Sequence, residues 1–291
     1  MKTAIRNLMI IIILLSILMT GTPVYASDAV PTQNLPKHFR ILAVGNSLAK
    51  NSLFYVYDIA KSLGIEDVKV GILHIGGCTL KKHWNNAQND KKVYQYYKKE
   101  DGQWVIEDNI SISEALADEK WDYVMFNSYS GDSGKPNKYK PLNDLTTYVR
   151  ERVGKNTVFV WDMTWAYRSQ FERKCFAAYD YDQKKMYKSI VKATKKKVLT
   201  NEDISIVIPA GTAVQNARTS SFGDTFTKDA RHLTKDARYL VGLTLVSKIL
   251  DISPGQIQYC PERVSEKMKK VAMTSARKAI RHPYRISKIN M

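Results

Sequence analysis

Cysteine is scarce in this chain: its 291 residues hold three, Cys78, Cys175 and Cys260, and no two of them form a CxxC pair. That excludes a disulfide-stapled scaffold, and an odd count leaves at least one thiol unpaired within the chain. Cys78 sits beside a glycine turn, where a small residue that tolerates burial is expected, and it reads as packing. Long apolar runs are missing too. The stretch from Leu8 to Met19 is broken only by Ser16, yet it falls short of the roughly 20 residues that a membrane-crossing helix needs. Acidic residues number 28 against 45 lysines and arginines, giving a net charge of +17. With no RNA-recognition aromatic motif and no zinc-finger spacing, that charge does not point to nucleic acid.

The N-terminus carries Lys2 and Arg6, then the apolar run, then Thr20-Gly21-Thr22-Pro23 and the small-residue site Val24-Tyr25-Ala26 before Ser27. Residues 1–26 therefore read as a secretory signal peptide, with no membrane span expected after its removal. A polar leader, 27–38, and a single domain, 39–291, are expected to follow, in a protein that is secreted or held at the bacterial cell surface. There a basic field meets anionic cell-wall polymers, acidic polysaccharides or lipid head groups, so an anionic wall polymer is an expected partner.

Past the leader, short β-rich runs alternate with helical periodicity. Arg40–Val44, Val68–Ile72, Tyr123–Asn127, Thr157–Trp161 and Ile204–Ile208 read as strands. Leu53, Val56, Ile59, Ala60 and Leu63 recur at helical spacing, as do Leu142, Leu145, Tyr148, Val149 and Val153. This alternation predicts an α/β fold, a parallel five-stranded sheet with helices on both faces. Residues 93–106 break the rhythm and read as a β-hairpin insertion turning at Asp101-Gly102. The apolar residues from Leu240 to Leu250 predict a helix ended by Pro254-Gly255, followed by a basic tail with a helix over Lys267–Ala279.

Four separated segments hold groups that acyl transfer requires, each just beyond the carboxyl end of a strand or beside it. Gly45-Asn46-Ser47 closes the first strand, so Ser47 is a candidate nucleophile whose own N–H faces the same space. Ile75-Gly76-Gly77-Cys78-Thr79 follows the second strand, and the N–H of Gly77 can reach an oxyanion. Asn127 ends the strand Tyr123–Asn127 and carries an amide able to donate there. Asp229-Ala230-Arg231-His232 pairs a carboxylate with an imidazole three residues on, as a base for Ser47 and its orienting group. His74 and His83 flank the glycine turn and read as partly buried polar residues.

Taken in this order, the four segments resemble the blocks of the SGNH hydrolases, the GDSL-like esterase and lipase superfamily, over about Arg40 to Leu250. The resemblance implies a flavodoxin-like three-layer α/β/α sandwich and a serine esterase mechanism. Ser47, His232 and Asp229 would be catalytic, Ser47, Gly77 and Asn127 the oxyanion hole, and no metal or organic cofactor is required. Two positions depart from the superfamily pattern. Asn46 stands where an aspartate is usual, and Phe126-Asn127-Ser128-Tyr129 replaces Gly-x-Asn-Asp. Both departures suit a divergent bacterial branch in which Gly-Asn-Ser, Gly-Gly-Cys and His-Leu-[Ser/Thr] occur together.

Trp84, Trp161 and Trp165 follow strands or turns near the expected cleft and are candidate platforms for stacking sugars, while Arg231 is placed to meet an anionic substrate. The sequence therefore predicts an exported esterase that deacetylates a polysaccharide or cell-wall glycan. Two other readings use the same residues: a basic glycan-binding surface protein that has lost efficient catalysis, and an O-acyltransferase.

Overall fold

A computed structural model describes residues 35–172 and 174–291. The predicted signal peptide, 1–26, lies outside the described residues. Seven strands, β1 (His38–Gly45), β2 (Asp67–His74), β3 (Tyr94–Lys99), β4 (Trp104–Ile110), β5 (Tyr123–Asn127), β6 (Val158–Asp162) and β7 (Ile204–Ile208), form one sheet in the order β4-β3-β2-β1-β5-β6-β7. β1 is buried apolar almost throughout, as a strand covered on both faces must be. Its side chains alternate between the faces. Phe39, Ile41 and Ala43 enter one core while Leu42 and Val44 enter the other.

Five of the strands are parallel, β2, β1, β5, β6 and β7. Counting only these, the chain visits them in the spatial order 2-1-3-4-5, which is the flavodoxin-like winding. Its switch point lies between β1 and β5, and open α/β sheets place their sites outside the carboxyl ends there. Ser47 follows β1 and Asn127 ends β5, so the topology brings both to one crevice.

The five expected parallel strands are present, and the expected hairpin joins the same sheet, bringing it to seven. β3 pairs antiparallel with β2, from Val70 opposite Lys99 to His74 opposite Gln95, and β4 forms the outer edge. Gly102 turns the hairpin at φ +81°, a conformation that glycine adopts at little cost. β3 qualifies as a sheet strand by burying Tyr94 and Tyr96, whereas β4 is mostly exposed, as an edge strand is.

The helices are α1 (Ser47–Ser52), α2 (Val56–Ser62), α3 (Leu80–Gln88), α4 (Ile112–Ala117), α5 (Leu142–Arg150), α6 (Lys174–Ala177), α7 (Gln183–Lys197), α8 (Ala210–Ala217), α9 (Lys235–Leu250) and α10 (Glu266–Arg281). α1, α2, α8, α9 and α10 contribute to one core and α3 to α7 to the other, giving three layers, α/β/α. α9 is buried on nearly every side, because the amphipathic α10 covers it from outside. It stops at Asp251, in left-handed backbone at φ +52°, three residues before the expected Pro254-Gly255. No helix among the described residues is long and apolar enough to cross a membrane.

Candidate active site

β1 ends at Gly45, where nothing larger than glycine fits: a Cβ there would lie 2.5 Å from Ala49 Cβ and 2.7 Å from Asn127 Oδ1. The chain then turns through Asn46, whose side-chain oxygen accepts the Leu48 N–H at 3.0 Å and caps α1. Ser47 is thus the first residue of a helix, where a backbone N–H has no partner one turn back and the helix dipole favours negative charge. Its hydroxyl lies 2.9 Å from His232 Nε2. The opposite ring nitrogen, Nδ1, lies 2.7 Å from Asp229 Oδ2.

The loop that supplies these partners is held tightly. Asp229 Oδ1 accepts the backbone N–H of His232 at 2.9 Å, so one carboxylate fixes both the ring and its main chain. Ala230 between them adopts φ +79°, strained for a residue with a Cβ, and surrounding hydrogen bonds hold it there. Arg168 N–H donates to the Ala230 carbonyl at 2.8 Å and Trp165 Nε1 to the Arg231 carbonyl at 2.6 Å. Asn51 joins this loop to α1, donating to the Ser47 carbonyl at 2.7 Å and accepting the Leu233 N–H at 2.6 Å. Burial works against the charge of Asp229, but the hydrogen bonds from the ring and backbone of His232 outweigh it and hold the carboxyl below its ordinary range.

A pocket of about 220 Å³ opens at Ser47, lined also by Asn46, Leu48, Gly76, Gly77, Tyr129, Ser130 and Arg231. Gly77 sits at φ +65°. The structure therefore brings Ser47, His232 and Asp229 within hydrogen-bond reach and places Gly77 and Arg231 on the pocket wall. Asn127 is different. Its amide donates to Asn46 Oδ1 at 3.1 Å and to the Ser128 carbonyl at 3.2 Å, so both its hydrogens are engaged behind the pocket. The Leu48 N–H requires an oxygen at that position of Asn46, which fixes the Asn127 amide as the donor facing it. The expectation that Asn127 donates to the oxyanion is corrected accordingly: here it braces Asn46.

The departure at Asn46 has a physical reason. Its other amide atom donates to the Cys78 carbonyl at 3.1 Å, which an ionised aspartate has no hydrogen to do. This one buried side chain ties together the loops bearing Ser47, Gly77 and Asn127.

The tryptophan platforms are also corrected. Trp161 and Trp165 are each 1 % exposed, and Trp161 packs on Tyr139 in the core. Trp84 is half-buried against Tyr148 on the face bearing α3. None presents a free ring to the pocket. His83 is fully buried with Nδ1 2.9 Å from Tyr94 Oη, and burial pushes its pKa down to about 3. Burial likewise pushes the Cys78 thiol up to about 12, as expected of a packing cysteine.

Sequence reasoning missed Asn51 and Asp162. Asn51 carried a legible signal, a polar residue four after Ser47 on the buried side of its helix. Asp162, wholly buried at the end of β6, accepts the Ser52 hydroxyl at 2.6 Å while its second oxygen has no partner. Burial raises its pKa to about 7.

A flavodoxin-like sheet with serine, imidazole and carboxylate linked at its carboxyl edge defines an α/β/α protein of the hydrolase-like class. Residues 40–279 match the family model described as a domain of unknown function, DUF4886, and the chain belongs to that family. A DUF4886 family protein from Bacteroides uniformis, known from its crystal structure, is 37 % identical, with a TM-score of 0.84 over 87 % of this chain and 98 % of that one. A candidate SGNH hydrolase from Slackia heliotrinireducens is similar at 19 % identity and TM-score 0.43, over 73 % of this chain and 99 % of its own. A candidate acylhydrolase from Bacteroides fragilis is similar at 15 % identity and TM-score 0.44, over 75 % and 91 %. No curated protein matches the chain.

Proposed function

We propose that the chain is an exported serine ester hydrolase of SGNH type that deacetylates a polysaccharide or cell-wall glycan. One observation carries the reading: Ser47 Oγ stands 2.9 Å from His232 Nε2 while Asp229 holds Nδ1 at 2.7 Å. A serine hydroxyl becomes a useful nucleophile only when such a base takes its proton.

Ser47 Oγ attacks the acyl carbon as its proton passes to His232 Nε2. The Ser47 and Gly77 N–H groups face the negative oxygen that forms, and Asp229 stabilises the imidazolium. His232 then returns the proton to the departing alcohol, leaving an acyl-serine. Water, deprotonated by His232, attacks that ester, and Ser47 leaves with the proton. A pocket of about 220 Å³ suits a short acyl group such as acetyl, being smaller than sites for drug-sized ligands. The export element of the proposal rests on the sequence of residues 1–26 alone.

The test is a panel of acetylated glycans and aryl esters, assayed with the unaltered protein, Ser47→Ala, His232→Ala and the double variant. Residues that act as a unit lose activity together, so each single variant should abolish most turnover and the double should be little worse. A folded Ser47→Ala that retains turnover refutes the mechanism.

A further inference from the structure

Ser47, Lys50 and Phe54 lie three and four residues apart, so they share one side of α1 and the turn that follows it, over about 10 Å. Below this strip is a second cavity of about 230 Å³, lined by Lys50, Phe54, Ile72, Tyr97, Trp104 and Ile106. The hairpin builds its floor. Tyr97 and Trp104 come from β3 and β4, and Ile106 is left 52 % exposed.

Each aromatic ring of this groove has a cation beside it. Lys50 Nζ lies 3.6 Å from the centre of Tyr97, the Arg238 guanidinium 4.7 Å from that of Phe54, and Lys99 Nζ 6.0 Å from that of Trp104. Lys99 is paired with Asp58. None of the ion pairs among the described residues engages Lys50 or Arg238, and the Arg238 Nε is buried without a hydrogen-bond partner. Burial first and the nearby Lys50 charge second hold His74, which meets Tyr97 edge-on, below its ordinary pKa. Lys50 therefore stands between the carboxyl end of β2, with its glycine turn, and the groove.

An aromatic-lined groove whose one lining cation, Lys50, has no carboxylate partner matches a ligand with a flat apolar face and a negative charge. A uronate residue has both: the C–H face of its ring stacks on an aromatic, and its carboxylate answers Lys50. A plain acyl chain would fill the groove and leave Lys50 unanswered. We propose that the groove is a subsite for an acidic glycan strand, seating carboxylate-bearing sugars next to the acylated residue presented to Ser47. This deepens the ester-hydrolase reading and rests on it for the reacting group. It also gives the net charge of +17 a partner at the site itself.

Isothermal titration of the full chain with unesterified hexagalacturonate, and with cellohexaose as its neutral counterpart, tests the subsite without catalysis. The acidic oligomer should bind at least about tenfold more tightly, and Trp104→Ala and Lys50→Gln should each weaken it about tenfold. Equal affinity for the two oligomers, or unchanged uronate binding in Lys50→Gln, overturns the proposal. Lys50→Gln decides if Trp104→Ala does not fold. Selective loss of 4-nitrophenyl octanoate turnover in Trp104→Ala, with uronate affinity intact, would make the groove an acyl-chain site and also overturn it. Fluorophosphonate labelling keeps the two readings apart. Uronate binding without labelling removes the hydrolase and leaves the subsite, and labelling without uronate binding does the reverse.

Discussion

Replacing Asn46 by alanine removes three hydrogen bonds at once, and their separate costs can be ordered. The Leu48 N–H loses its cap, worth about 1 kcal/mol at a helix N-terminus. The Cys78 carbonyl loses its donor in a site where Asn46 is 1 % exposed, and an orphaned buried group costs about 1–3 kcal/mol. Asn127 loses one acceptor but keeps the Ser128 carbonyl, so its share is smaller. A total near 3 kcal/mol is expected, which in a domain of this size lowers the melting temperature by about 6–12 °C. Asn46→Ser separates the terms, because its hydroxyl can still cap α1 while falling short of Cys78 and Asn127. It should recover about 1 kcal/mol relative to alanine. Urea unfolding and calorimetry of the three proteins measure this. An Asn46→Ala variant within about 0.5 kcal/mol of the unaltered protein would refute the idea that this side chain binds the three loops together.

Asp162→Asn should change the pH dependence of stability. Because burial raises the folded pKa to about 7, the folded state keeps a proton that the unfolded state releases near 4, and stability falls as pH rises between them. The variant, still able to accept from Ser52, should gain on the unaltered protein by roughly 2–4 kcal/mol between pH 4 and pH 8. A pH-independent difference in urea unfolding contradicts this. Trp165→Phe keeps most of the bulk but orphans the Arg231 carbonyl, at a cost of about 1–3 kcal/mol, and should lower kcat more than it raises KM by loosening the Asp229–His232 loop. Unchanged kcat in steady-state kinetics counts against that role. Gly211→Ala should destabilise by about 1–3 kcal/mol or more, since a Cβ there would stand 2.2 Å from the Thr164 carbonyl oxygen, and a melting temperature equal to that of the unaltered protein would refute it.

What the sequence revealed follows from the range over which each signal acts. Strands β1, β5 and β6 were legible because buried parallel strands are written as largely apolar runs. α5 and α9 were legible from periodicity and apolar content. The Asp229–His232 pair was legible because its geometry is local, a three-residue turn closed by its own carboxylate. The misread features depend on distant partners. Nothing within 93–106 says that β3 will pair with β2, since that pairing joins residues more than twenty positions apart. Trp161 and Trp165 follow one another closely, but only the packing of Tyr139 and the Arg231 carbonyl reveals that both rings are enclosed. The role of Asn127 turned on Asn46, 81 positions away, whose orientation is set by a helix cap.

The central claim is that Ser47 is an activated nucleophile, and covalent capture tests it most directly. The full chain is treated with a fluorophosphonate, digested, and the modified peptide located by mass. The account predicts modification at Ser47, absent in Ser47→Ala and strongly slowed in His232→Ala, where no base remains to take the hydroxyl proton. An unmodified Ser47 in the folded protein, or labelling at the same rate without His232, would contradict it.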